Sequence, residues 1–140
     1  MRSTSRLIFV LMAASIAHAR ADVGCPDRLA VEQKADAPPN WSVGYSEVPP
    51  RLAGVTFFDG PPANGVSLKF DRSKRTGREL VLTWNLKESP RNLYLQCSYE
   101  RTTATISTAL PRGLRFCEIV YDATTSYAGG AMPVKRMFCR

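Results

Sequence analysis

The chain has 140 residues, of which 44% are hydrophobic and 22% charged, so its composition is that of one globular domain and not of a disordered or fibrous chain. The formal charge is +7, but three of the 19 Lys and Arg residues and none of the 12 Asp and Glu residues lie in the first 21 positions, so the rest of the chain carries +4. That excess is too small to indicate nucleic-acid binding.

The amino terminus has the features of a secretory signal peptide. Arg2 and Arg6 precede an apolar run over residues 7–17, which ends in small residues and is too short to cross a bilayer. Cleavage after Ala19 or after Ala21 fits equally well. We therefore predict a signal peptide over residues 1–21, a single secreted domain over residues 22–140, and no transmembrane segment.

His18 is the one histidine of the sequence, and it lies in the predicted signal peptide. The secreted domain would therefore have no imidazole, which excludes Ser-His-Asp and Cys-His nucleophiles, histidine general acids and histidine metal ligands. We predict no catalytic residue, no metal and no cofactor.

The secreted part is a series of short β-rich runs separated by clusters of Pro, Gly, Asn and Asp. This pattern predicts an all-β fold, a single antiparallel sandwich or barrel of about eight or nine strands. Residues 28–35 alternate weakly and are assigned to a strand in preference to a helix. The clearest strands follow over residues 41–45, 54–58, 66–70, 79–86, 93–100, 103–109, 114–121 and 134–139, and residues 73–77 are assigned to a break between strands.

One face of the strand over residues 79–86 supplies much of the predicted core. Its apolar residues recur at every second position and are expected to pack against the strands over residues 93–100 and 103–109. Most Trp and Tyr side chains, Trp41 included, are also expected in the core. The central core set is Leu80, Leu82, Trp84, Leu86, Leu93, Leu95 and Ile106.

Four cysteines remain in the secreted part, and an even number in an oxidising compartment predicts two disulfides. They are Cys25, Cys97, Cys117 and Cys139, and their spacing contains no C-x-x-C zinc motif. Spacing alone leaves all three connectivities open. Because strand alternation points Cys97 and Cys117 inward, we favour Cys97–Cys117 and Cys25–Cys139.

Asp59 precedes Gly60-Pro61-Pro62 at the end of a strand. A carboxylate on such a rigid turn can act as a ligand or a general base, but Asp-Gly after a strand is also ordinary turn chemistry. We favour the structural role and keep Asp59 as a candidate binding residue.

The densest charge cluster lies over residues 69–78. Its members Lys69, Arg72, Lys74, Arg75 and Arg78 can dock an acidic protein surface through arginine contacts. A solvated hairpin tip is the simpler interpretation, and the cluster lacks the interleaved aromatics of a nucleic-acid site. Arg72, Lys74, Arg75 and Arg78 stay candidate binding residues.

Two tyrosines are further candidates for binding. Tyr94 lies on the polar phase of its strand beside Gln96, and Tyr127 lies in the loop over residues 124–130. A tyrosine offers a large, rigid contact area with a polar end.

A pair of carboxylates is the remaining route to an enzyme, because glycoside hydrolysis needs only two acids. The available residues lie on outward phases or at strand ends, where charges usually serve solubility. They are Glu79, Glu88, Glu100 and Glu118.

Several segments together resemble a family of small secreted proteins of Gram-negative bacteria whose function is uncharacterised. The resemblance rests on Cys25-Pro26, on Val-Thr-Phe-Phe-Asp-Gly-Pro-Pro over residues 55–62, and on the Cys-x-Tyr strand at Cys97 and Tyr99. It covers nearly the whole secreted part. It implies a periplasmic location, one compact domain and no catalytic residues to carry over.

These observations favour a protein that works by binding. We predict a non-enzymatic module, an inhibitor or immunity-type factor that acts in the envelope on another periplasmic protein. The alternatives are a carboxylate-dependent hydrolase of an envelope polymer and an envelope structural factor.

Overall fold

A computed structural model describes residues 23–45, 47–86 and 90–140. The predicted signal peptide, its two cleavage sites and Glu88 lie outside these residues. Eight strands follow one another along the described chain: β1 Leu52–Asp59, β2 Val66–Leu68, β3 Arg72–Thr76, β4 Glu79–Asn85, β5 Leu93–Tyr99, β6 Thr105–Ala109, β7 Phe116–Asp122 and β8 Val134–Cys139.

The strands form two antiparallel sheets of four. The first sheet has the order β2-β1-β5-β6 and the second has the order β3-β4-β7-β8. No helix occurs in the part of the chain that the structure describes. The all-β prediction is confirmed, and seven of the predicted strands occur within about two residues of their expected bounds.

The core lies between the facing sides of the two sheets, where alternate residues of each strand point inward. The rings of Phe57 in the first sheet and Trp84 in the second lie 5.0 Å apart between centroids. The indole Nε1 of Trp84 also donates to the carbonyl of Leu68 on β2, at 3.1 Å. The predicted core is confirmed: Trp84, Leu86 and Leu95 are buried, and the others pack partly buried against them, namely Leu80, Leu82, Leu93 and Ile106.

The assignments of residues 28–35 and 41–45 to strands were wrong. The described part of this region contains only an isolated bridge between Arg28 and Arg51. Pro38 and Pro39 supply no N–H to a ladder, and the N–H of Trp41 closes a turn on the carbonyl of Pro38 instead. Trp41, expected in the core, is 76% exposed.

The ends of this loop are held by hydrogen bonds beside the start of β1 and the end of β5. The N–H of Leu29 donates to the carbonyl of Pro50, and the N–H of Leu52 donates to the carbonyl of Asp27. The hydroxyl of Tyr99 on β5 donates to the carbonyl of Pro26 at 3.0 Å. Residues 29–50, which we call the amino-terminal loop, therefore leave and rejoin the sandwich at neighbouring points.

The assignment of residues 73–77 to a break was also wrong, because β3 occupies most of it. Thr76 pairs with Glu79, so the hairpin turns at Gly77 and Arg78, and Gly77 takes a φ of 55° there. Every residue of β3 is exposed, as is common for a charged edge strand. The charges mark an edge position and do not prevent strand formation.

Two disulfides are present as predicted, but with the other pairing. Cys25 bonds to Cys97, and Cys117 bonds to Cys139. Cys97 and Cys117 both point into the core, as the alternation predicted. The predicted pairing was wrong because Cys117 lies directly opposite Cys139 on the neighbouring strand, in a pair with Cα atoms 4.2 Å apart.

Candidate functional site

The outward side of the second sheet carries a group of exposed basic and aromatic residues. Since Trp84, Cys117 and Ile119 face the core, the residues between them on each strand face outward. The ladder places Arg72, Thr83, Glu118 and Phe138 in one row across the sheet, and Lys74, Val81, Val120 and Arg136 in the next. We call the exposed members Arg72, Lys74, Arg136 and Phe138 the basic face.

The centre of the basic face is apolar. Val120 is only 1% exposed although it lies outside the core cluster. Its neighbours across the ladder are Val81 and Arg136, and the stem of a long arginine side chain covers apolar surface while its charged end stays in water. Phe138, on β8 in the row next to Val120, is 54% exposed. The basic face therefore combines arginine, lysine and aromatic surface around a small apolar centre.

Glu79 positions the cations at the β8 end of this sheet. Its carboxylate accepts from Lys135 Nζ at 2.7 Å and from the two terminal nitrogens of Arg136 at 3.4 and 3.3 Å. The hydrogen bond from Lys135 is the main cause of the lowered pKa of Glu79, which the charges of both cations lower further against the opposing effect of desolvation. The ionised carboxylate holds Arg136 at the rim of the basic face.

Replacing Glu79 by Gln is expected to reduce the pH dependence of stability in acid. Because the pKa of Glu79 is lower in the folded chain, its ionised form stabilises the fold above the ordinary glutamate range, and this contribution is lost as the pH falls through the folded pKa. Urea unfolding of both proteins across the acid range measures the difference. The two curves should converge at low pH; parallel curves would show that the ion pairs add nothing to stability.

The loop after β7 is tied to the β3–β4 hairpin. Arg75 donates from Nη2 to the carbonyl of Ala123 at 3.2 Å, and the N–H of Ala123 donates to the carbonyl of Arg78. Asp122 opens the loop by accepting from the hydroxyl and N–H of Thr124, which are the main causes of its lowered pKa. The predicted candidates Arg75 and Arg78 thus lie against the loop that carries Tyr127.

The remaining predicted candidates lie in the first sheet. Asp59 at the end of β1 forms an ion pair with Arg91, with 3.1 Å between the carboxylate Oδ2 and Nη2. Tyr94 pairs with Phe58 and Ala109 on the outward side of the same sheet. The structure therefore separates Asp59 and Tyr94 from the basic residues of the second sheet.

Two of the candidate carboxylates pair with cations, whereas a general acid requires a raised pKa. Glu79 has a lowered pKa, and Glu100 forms an ion pair with Arg101 at 3.5 Å. Glu118 lies opposite Thr83 and Phe138. Among the described residues, no group of three or more His, Cys, Asp and Glu is arranged to hold a metal ion.

Sequence reasoning missed the contribution of β8 to the basic face. Arg136 and Phe138 alternate with Met137 and Cys139, which point toward the core. This alternation was visible in the sequence as an outward phase. The sequence did not reveal that β8 and β3 belong to the same sheet, in which they are the two edge strands of the order β3-β4-β7-β8.

Two comparisons relate the chain to known proteins. The sequence model of the Type VI secretion system Tli immunity protein family matches residues 46–140. The chain is also similar to an uncharacterised 16.3 kDa protein from the trpG 5′ region of Azospirillum brasilense, with 35% identity over 130 residues and 87% of each chain covered. No solved structure matches the chain.

The match of residues 46–140 begins just before β1 and includes all eight strands and three of the four cysteines. The predicted resemblance to a small family with uncharacterised members is confirmed. That the quoted motifs are characteristic of this family stays a prediction. No helix in the described residues is long and apolar enough to cross a membrane. The chain belongs to the Type VI secretion system Tli immunity protein family.

Proposed function

We propose that the chain is a periplasmic immunity factor that binds a toxin of a type VI secretion system through its basic face and thereby neutralises it. The family to which the chain belongs supports an immunity-type, protein-binding role. The observation that carries the assignment of the surface is the grouping of Arg72, Lys74, Arg136 and exposed Phe138 in two adjacent rows on one side of a disulfide-linked sheet.

The composition of the basic face fits a protein partner with an acidic surface. Arginine and aromatic residues are enriched among the side chains that dominate binding energy at interfaces. Opposite charge on the partner accelerates association and selects against basic competitors. A four-stranded sheet also presents these side chains on a rigid backbone, which reduces the backbone entropy lost on binding.

A periplasmic location is supported by the cysteines. All four described cysteines are in disulfides, which fits an oxidising compartment. The predicted signal peptide would deliver the chain to that compartment. The partner is then a toxin that reaches the same side of the inner membrane.

Binding is favoured over catalysis by the same family assignment. The lowered pKa values of Glu79 and Asp122 keep both side chains ionised near neutral pH, where a general acid must hold a proton. The hydrolase alternative predicts turnover of peptidoglycan or glycan by the purified protein, and we expect none.

Reversing charge on the basic face is expected to weaken toxin binding without lowering stability. In the double variant Arg72→Glu, Lys74→Glu, two exposed side chains of an edge strand change sign, so the melting temperature should stay within about 2 °C. The toxin is first captured from envelope extract, identified by mass spectrometry and purified. The affinity of the double variant for this toxin should be at least about tenfold lower at low salt. Calorimetry measures the affinity, and the loss should shrink as salt increases.

Lys34→Glu is the control, because Lys34 is an exposed lysine in the amino-terminal loop and does not belong to the basic face. It should leave affinity within about twofold. Equal losses in the control and the double variant would show a general charge effect, and retained affinity in the double variant would remove the basic face from the interface.

A further inference from the structure

The four edge strands of the two sheets differ in how they are protected from pairing with another chain. An edge strand presents unpaired N–H and C=O groups, and natural proteins block it by shortness, charge or irregularity. β2 has only three residues, β3 carries three basic side chains, and β8 carries Lys135 and Arg136 beside a shift of register. All three of these edges are blocked.

β6, the remaining edge, has none of these features. Its sequence Thr-Ile-Ser-Thr-Ala contains no charge, no proline and no glycine, and four of its five residues are exposed. The strand pairs regularly with β5 from Thr105 to Ala109, without a bulge. Among the four described edge strands, β6 alone is longer than three residues, uncharged and regularly paired along its length.

The hydrogen-bonding phase of β6 shows which groups are available. The N–H of Leu110 donates to the carbonyl of Leu93 at 2.7 Å. In an antiparallel pair, alternate residues direct their N–H and C=O toward the partner strand. Ile106 and Thr108 lie two and four residues before Leu110, so their N–H and C=O groups also point toward β5. The N–H and C=O groups of Thr105, Ser107 and Ala109 therefore point away from the sheet.

The charges at the ends of β6 indicate the chemistry of the added strand. Arg101 precedes the strand in an ion pair with Glu100 at 3.5 Å, Arg112 follows the strand, and both arginines are exposed. A second copy of the chain paired antiparallel about Ser107 would bring Arg101 beside Arg112 of the copy, which is a contact of like charges at each end. A partner segment with carboxylates at its ends would meet opposite charge there instead.

An open groove continues from the beginning of β6. It is lined by residues 101–104 and by residues 31–35 and 43–45 of the amino-terminal loop, which include both Glu32 and Lys34. A strand added to β6 would continue into this groove at the Arg101 end. The loop therefore offers side-chain contacts beyond the backbone pairing, as strand-addition sites usually do.

We propose that β6 accepts an extended segment of a partner protein as a fifth strand of the first sheet, neutral along β6 and acidic at both ends. This assigns a second binding surface, and it stands or falls independently of the basic face.

The test uses the disulfide-bonded protein and a capped synthetic peptide of alternating Thr and Val with an Asp at each end. We expect saturable binding by nuclear magnetic resonance titration at millimolar peptide. Backbone amide hydrogen exchange should slow at Thr105, Ser107 and Ala109 and not at Ile106 and Thr108, because only the first three donate outward. Absence of saturable change at β6 would overturn the proposal.

Three variations on this experiment distinguish backbone pairing from other binding. Methylation of alternate peptide nitrogens on the pairing edge should abolish binding, and replacement of both Asp by Lys should weaken it about tenfold. Ser107→Pro removes an outward N–H and should abolish binding, whereas Ser107→Ala keeps it and should bind as before. Ser107→Glu, which keeps the outward N–H but adds a charge of the same sign as the peptide ends, should also weaken binding if the proline variant does not fold.

Two other outcomes would contradict the proposal. Equal binding of the methylated peptide would show that the peptide binds through its side chains elsewhere. Concentration-dependent dimerisation of the protein that Ser107→Pro abolishes, measured by analytical ultracentrifugation, would assign the edge to a second copy. Neither result bears on toxin binding by the basic face, which the charge-reversal variants test separately.

Discussion

Replacing Cys25 and Cys97 together by alanine is expected to lower the free energy of unfolding by about 4 kcal/mol. The disulfide spans 72 positions and encloses β1 to β4 and the first part of β5, so its loss greatly increases the freedom of the unfolded chain. It also releases residues 23–29, which are otherwise attached to β5 by this bond and by the hydrogen bond from Tyr99 to Pro26. Urea unfolding under oxidising conditions measures the change.

The second disulfide provides the comparison. It spans only 22 positions, so the pair Cys117→Ala, Cys139→Ala is expected to cost about 3 kcal/mol by the same loop-length dependence. Mapping of peptides from the unreduced protein should recover Cys25 with Cys97 and Cys117 with Cys139. Recovery of Cys97 with Cys117 would contradict the structure, in which Cys117 lies directly opposite Cys139 on the neighbouring strand and is bonded to it.

Phe57→Ala is expected to cost about 3 to 5 kcal/mol, the usual loss for a buried phenylalanine. Phe57 is 0% exposed, and its ring packs against Trp84 across the space between the sheets. A cavity at this point would remove the main aromatic contact that joins β1 to β4. Thermal and urea unfolding, with tryptophan fluorescence as the signal for Trp84, measure the effect.

Phe58→Ala is the matched control, because Phe58 is the next residue on β1 and points to the opposite side of the sheet, where it is only partly buried. We expect a loss of about 1 kcal/mol. If the two variants were equally destabilised, Phe57 would not hold the special inward position that the structure gives it.

Strand alternation predicted the side of the sheet on which a residue lies, and it did so well. Leu95, Cys97 and Tyr99 are buried on one face of β5, as their spacing indicated. Alternation does not tell which strands are neighbours, because neighbours are set by loops and packing between distant segments. The disulfide pairing failed for this reason, although the direction of Cys97 and Cys117 was predicted correctly.

Composition gave two wrong assignments, one for a charged edge strand and one for an apolar loop. β3 was assigned to a break because its basic residues are typical of exposed loops, whereas edge strands also favour such charges. Residues 41–45 were assigned to a strand because Trp, Val and Tyr have high β-propensity. In the structure the N–H of Trp41 closes a turn on the carbonyl of Pro38, and propensity alone does not tell whether a partner strand is available.

The candidate site was predicted in part. Arg72 and Lys74 were identified from charge density alone, and the structure places them with Arg136 and Phe138 across four strands. That combination depends on sheet order, which no local pattern encodes. Whether these residues bind the partner stays a prediction.

The two ends of the amino-terminal loop meet at the bridge between Arg28 and Arg51. Insertions or deletions between these points would change the length of the loop and leave the path of β1 unaltered. The entropic cost of closing a loop rises only slowly with its length. The length of this part of the chain can therefore change without any change in the strand order of the sandwich.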